Sequence, residues 1–128
     1  MLLRTLIASA DAPLQAIDSA LQEVGALVRS VPTIGDAHRA LEKEPFDLVI
    51  LEQGLDPEVV PRLIREFRAL PDAPEVIVLV DNDIPEIRAE LIKCGAYSVL
   101  AGELPEGLFG GGLKAVAERR LDESRAQL

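Results

Sequence analysis

The chain has 128 residues, 48% of them hydrophobic and 27% charged, and carries a formal charge of -9 at pH 7. That size and apolar content suit one compact domain whose core needs neither disulfides nor a structural metal. The acidic balance argues against direct nucleic-acid binding, which wants clustered Lys and Arg, and 3% aromatic residues with no Trp leave no platform for base or sugar stacking. Cys94 stands alone, which excludes an internal disulfide and a Cys-based zinc cluster and suits a reducing cytoplasm.

In chain order, the opening apolar run is too short to span a membrane and meets Asp11 and Pro13 at once. It reads as a first strand, residues 4–9, and not as a signal peptide. Pro13 opens a helix that would bury Leu14, Ile17, Leu21 and Val24 on one face and stop at Gly25. A second strand, residues 26–31, precedes Pro32. Thr33 with Asp36 then forms a helix-start capping pair, and the helix continues to about Lys43. The next apolar run, residues 46–51, ends at Glu52, the acidic residue where a buried strand has to stop.

Asp56-Pro57 opens a third helix with Val60, Leu63, Ile64 and Phe67 as its apolar stripe. Residues 75–80 form a continuous β-branched run of the kind a parallel strand buried on both faces requires. Asp83 is placed to cap a fourth helix with Ile84, Ile87 and Leu91 on its inner face and Gly95 at its end, and Cys94 is expected half-buried there. A fifth strand covers residues 97–100. The glycine triplet at 110–112 interrupts the last helix, since each glycine costs about 0.8–1 kcal/mol relative to alanine inside one. Either the helix is kinked there or it starts at Leu113. Strands alternating with helices predict an α/β fold with a parallel sheet.

Three phrases carry a resemblance to a known family: Phe46-Asp47-Leu48-Val49-Ile50-Leu51, Pro74-Glu75-Val76-Ile77-Val78-Leu79 and Cys94-Gly95-Ala96-Tyr97-Ser98-Val99-Leu100. They resemble strands three, four and five of the response-regulator receiver domain. The resemblance implies a flavodoxin-like (βα)5 three-layer sandwich with a five-stranded parallel sheet of order 2-1-3-4-5. It implies a receiver-like domain over residues 1–120 and a helical extension over 121–128 that links to a following output module. The family's phosphotransfer chemistry uses an acidic pair after strand one, an aspartate after strand three, a hydroxyl after strand four and a lysine after strand five. Metal and lysine neutralise the phosphoryl oxygens, and the hydroxyl follows the acyl phosphate.

Here those positions are degenerate. At most Asp11 remains of the acidic pair, within Ser9-Ala10-Asp11-Ala12. Glu52 takes the acceptor place, Val80 the hydroxyl place, Gly102 the lysine place and Val99 the place of the switch aromatic. Valine offers no hydrogen bond and glycine no cation, so the implied domain is a pseudo-receiver without phosphotransfer, catalytic residues, cofactor or metal. Glu52 admits three readings: a built-in phosphoryl mimic, a residual acceptor, or a solvated strand-end carboxylate, the last favoured because exposed charges are the norm. Asp11 reads as a cap in preference to a vestigial metal ligand, since a strand-to-helix turn more often uses Asp that way. His38 is expected to face solvent, and Asp81-Asn82-Asp83 to be a turn and cap, since it lacks the ligand spacing of a calcium loop.

The function so implied is that of a two-component signalling domain acting through protein contacts with a signalling partner or fused effector, without direct nucleic-acid or membrane binding. Leu104, Leu108, Phe109 and Leu113 are the candidate interface, with a weak homodimer as one outcome. The alternative, of another class, is a regulatory module that binds a small molecule or nucleotide in the strand-end crevice, where loss of the polar side chains leaves room for an apolar ligand.

Overall fold

The computed structural model describes residues 3–9, 26–52, 58–71, 73–80, 82 and 84–101. Along them run β1 (Leu3–Ala8), β2 (Ala26–Val31), α1 (Ile34–Lys43), β3 (Leu48–Glu52), α2 (Val60–Arg68), β4 (Glu75–Val80), α3 (Pro85–Cys94) and β5 (Ser98–Ala101). The strands pair in parallel, in the order β2-β1-β3-β4-β5. This is the doubly wound order expected of a flavodoxin-like sheet. The helices expected from Pro13 and around Leu113 lie outside the described residues, as do Asp11, Gly102 and the extension at 121–128.

Side-chain alternation gives the sheet two buried faces. Leu6 and Ala8 of β1, Val49 and Leu51 of β3, Val76, Val78 and Val80 of β4 and Val99 of β5 join one core cluster. The helices cover this face with Ile34, Ala37 and Ala40 from α1, Val60, Leu63, Ile64 and Phe67 from α2, and Leu91 and Cys94 from α3. The alternate residues Ile7, Leu48, Ile50, Ile77 and Leu79 point the other way and are buried as well. Burial on both sides is why β3 and β4 read as unbroken apolar runs.

Polar contacts at the amino ends of the strands fix where pairing begins. Asp47 accepts from the Arg4 backbone N–H through Oδ2 at 3.0 Å, and its own N–H donates to the Arg4 carbonyl at 2.8 Å. Glu75 N–H then bonds the Asp47 carbonyl at 3.0 Å, and Tyr97 N–H the Val76 carbonyl at 2.7 Å. Asp47 is thus a pairing device before β3, and the regular strand starts at Leu48, two residues later than the apolar run.

The Thr33 cap is present: its Oγ1 accepts from Asp36 N–H at 3.0 Å. Two helix starts differ from expectation. The described part of α2 begins at Val60 with Pro61 in its first turn and no side-chain cap, and Asp56 and Pro57 lie outside the described residues. In α3 the first residue is Pro85 and the N-cap is Ile84, extended at φ -106. Proline drives the residue before it out of the helical region, so Ile84 does not share the inner face with Ile87 and Leu91. It is 43% exposed. Cys94, expected half-buried, is buried among the core side chains.

Candidate functional site at the carboxyl ends of the strands

β1 and β3 are in register with Ala8 beside Leu51, which brings the next residues, Ser9 and Glu52, level at the carboxyl end of the sheet. Ser9 N–H donates to the Val31 carbonyl at 3.1 Å, so the chain leaving β1 is still tied to β2. The Ser9 side chain is buried, and its hydroxyl donates to Oε2 of the half-buried Glu52. Both sit on the sheet face turned away from α1, α2 and α3, with Ile7 and Ile50 beneath them.

β4 contributes nothing polar to this pair. Glu52 lies beside Leu79, so Val80 stands one residue further on and points to the opposite face. There it packs in the core cluster with Val78 and Val99, Val80 at 6% and Val99 at 1% exposure. Among the described residues, the basic side chains near this end of the sheet are engaged elsewhere. Arg39 turns back onto Asp36, Arg62 lies 3.9 Å from Glu66, and Arg88 Nη1 donates to the Val99 carbonyl at 2.8 Å. Lys43 and Lys93 belong to the last turns of α1 and α3, at the other end of the sheet. The Arg39 guanidinium, and after it the Thr33 hydroxyl, hold the Asp36 carboxyl below the usual aspartate value. Among the described residues no three metal-ligating side chains converge.

No protein-family model matches the sequence, and no curated protein matches it. Solved structures do. A response regulator from Thermotoga maritima superposes with a TM-score of 0.79 at 21% identity, over 92% of this chain and 99% of its own. A CheY-like receiver domain protein from Methanospirillum hungatei JF-1 gives 0.79 at 20% identity, over 96% of this chain and 99% of its own. An atypical orphan response regulator, described as having a phosphorylation-independent regulatory mechanism, gives 0.78 at 19% identity, over 94% of this chain and 96% of its own.

The chain has the receiver fold. At these identities the likeness is one of architecture, and the chemistry has to be read from the residues. In the receiver fold, as here, the strand carboxyl ends gather side chains from several strands at one edge. At the ends of β1 and β3 that edge brings together the Glu52 carboxylate and the Ser9 hydroxyl. Asp11, Gly102, Leu104, Leu108, Phe109 and Leu113, singled out in the sequence, lie outside the described residues.

Sequence reasoning had treated Ser9 only as part of a degenerate acidic site and missed its bond to Glu52. The signal was faint, because a serine forty-three residues away in sequence announces no partner. It also placed His38 toward solvent, and the side chain is 44% exposed. Its Nδ1 lies 3.2 Å from Glu42 Oε1 and its Nε2 3.7 Å from Glu66 Oε2, with the ring stacked at 6.4 Å from that of Phe67. Glu42 was legible, being four residues along the same helix face; Glu66 comes from α2 and was not. A cavity of about 280 Å³ opens at the other end of the sheet, lined by Leu41, Phe46, Leu70, Pro71 and Pro74 among others. It is remote from the strand carboxyl ends, where a ligand crevice was the alternative expectation.

Proposed function

We propose that this chain is a receiver-type signalling module that works without phosphorylation, through contacts with a protein partner or a fused effector. The observation that carries the reading is the Ser9–Glu52 pair. A carboxylate at the end of β3 is held by a neutral hydroxyl donor, while the residue ending β4 is a valine turned into the core on the opposite face. An acyl phosphate needs cations on its oxygens and a donor that follows it, and the described residues at this edge supply neither to Glu52. On this reading the chain takes the place of a non-enzymatic regulatory domain in two-component signalling.

A contact surface fits this reading. Ile84 and Ile92 are 43% and 44% exposed. They flank Arg88, whose guanidinium reaches over the edge of β5 to the Val99 carbonyl. Residues four apart lie along one side of a helix, so Ile92 shares the Arg88 side of α3, while Ile84 stands just before the helix start; β5 leads in sequence to the candidate interface of Leu104, Leu108, Phe109 and Leu113. The surface would take a partner or, weakly, a second copy of the chain.

Intact-mass measurement after incubation with acetyl phosphate and Mg²⁺ tests the reading. The mass should remain that of the unmodified chain. A stoichiometric phosphoryl adduct on Glu52 would overturn it.

A further inference from the structure

We propose that Glu52 is a docking acceptor for a basic side chain of the partner protein, and that Ser9 is the residue that positions it. The inference rests on the phosphorylation-independent reading and names what the partner brings.

Glu52 is a carboxylate with two oxygens and one hydrogen bond. Oε2 accepts from the Ser9 hydroxyl, and among the described residues Oε1 has neither a hydrogen bond nor an ion pair. The side chain is half-buried, so it has already lost part of its water shell. A partly desolvated carboxylate gains more from a fitted cation than an exposed one does, and charge-assisted bonds are the stronger kind. Among the described residues no cation is spent here: Arg39, Arg62 and Arg88 bond Asp36, Glu66 and the Val99 carbonyl. Its overall charge of -9 adds a field that draws a basic partner in.

Ser9 makes the acceptor specific. Its backbone is pinned by the bond to Val31 and its side chain is buried, so the hydroxyl is a fixed donor. By taking Oε2 it sets the rotamer of Glu52 and leaves one oxygen to present. A single remaining oxygen suits one N–H donor of a lysine or arginine. A divalent ion wants several converging oxygens in octahedral array, and the neutral hydroxyl adds no charge toward that.

Carboxyl-detected NMR of the full chain, titrated with the peptide Ac-Ala-Arg-Ala-NH2 and with its neutral citrulline isostere, tests this. The Glu52 Cδ resonance should shift saturably with the arginine peptide, the shift should weaken as salt rises, and citrulline should leave it unmoved. Glu52→Gln should weaken binding by about fivefold or more, the scale of one ion pair. Ser9→Ala, checked for an unchanged amide spectrum, should weaken it too, and Ser9→Thr, which keeps the hydroxyl, should restore it. Equal response to arginine and citrulline, undiminished binding by Glu52→Gln, or a Glu52 shift at lower concentration of Mg²⁺ than of peptide would overturn the docking site. Undiminished binding by Ser9→Ala would overturn the positioning role. A silent titration on a chain that also stays unphosphorylated sinks this proposal alone, whereas an acyl phosphate on Glu52 sinks the reading beneath it.

Discussion

Thr5 and Asp36 are two polar residues in opposite circumstances. Thr5 is fully buried on the Ile7 face of β1, and among the described residues its Oγ1 has no hydrogen-bond partner. A buried hydroxyl without a partner is a net cost, while a valine of nearly the same shape carries none. Thr5→Val should therefore raise stability by about 1–2 kcal/mol, seen as a higher urea midpoint at unchanged slope; a lower midpoint would mean the hydroxyl is satisfied in solution. Asp36 is half-buried and well partnered, by Arg39 and by Thr33. Its folded pKa is depressed, so its contribution is present above the ordinary aspartate value, about 3.9, and fades as pH falls below it through the folded value. Asp36→Asn should be less stable than the native chain at pH 7, and the two should converge toward pH 2. A difference that persists in acid would assign the effect to the cap geometry and not to the charge.

Among the elements, the junction after α3 and the edge of β5 are the places where one residue decides. Gly95 has φ 121, and a Cβ there would meet Arg68 Cγ at 2.8 Å. Arg68 cannot move away freely, because Nη1 donates to the Pro74 carbonyl and to Glu75, each at 3.1 Å. Gly95→Ala should cost roughly 1–2 kcal/mol from the backbone alone, read as a lower melting temperature, with Arg68→Ala in the same chain recovering only the steric part. Arg88 bonds the Val99 carbonyl of β5, the last strand in the sheet order among the described residues, and edge strands without cover invite pairing. Arg88→Leu should speed amide exchange across residues 98–101, and unchanged exchange would show that the guanidinium is not what protects the edge. Elements of this kind were largely legible. β2 and β4 fall on the predicted residues because Pro32 and the β-branched run mark them, and the Thr33 cap fixes α1. What misled was Ile84: its apolar side chain fits the helical period, but the local effect of Pro85 removes it from the helix.

For the whole molecule, the parallel α/β architecture could be read from the alternation of apolar runs and helical stripes, because periodicity encodes which faces are buried, whereas the sheet order and the receiver fold came from the resemblance carried by the phrases of strands three, four and five. The site was legible only in part. Glu52 and Val80 were found because they end strands, and the strand ends are fixed by the runs themselves. That Val80 faces away from Glu52, and that Ser9 occupies the carboxylate, depend on the register between strands. Register is a tertiary property that no local pattern states. The proposed function requires that this strand-end edge has no phosphoryl-driven switch. Amide NMR spectra of the full chain, taken with and without Mg²⁺ and beryllofluoride, the phosphoryl analogue, test this. Unchanged resonances are expected for Ala8, Ser9, Glu52, Val80 and Val99. Saturable shifts at Glu52 together with Val80 and Val99 would contradict it.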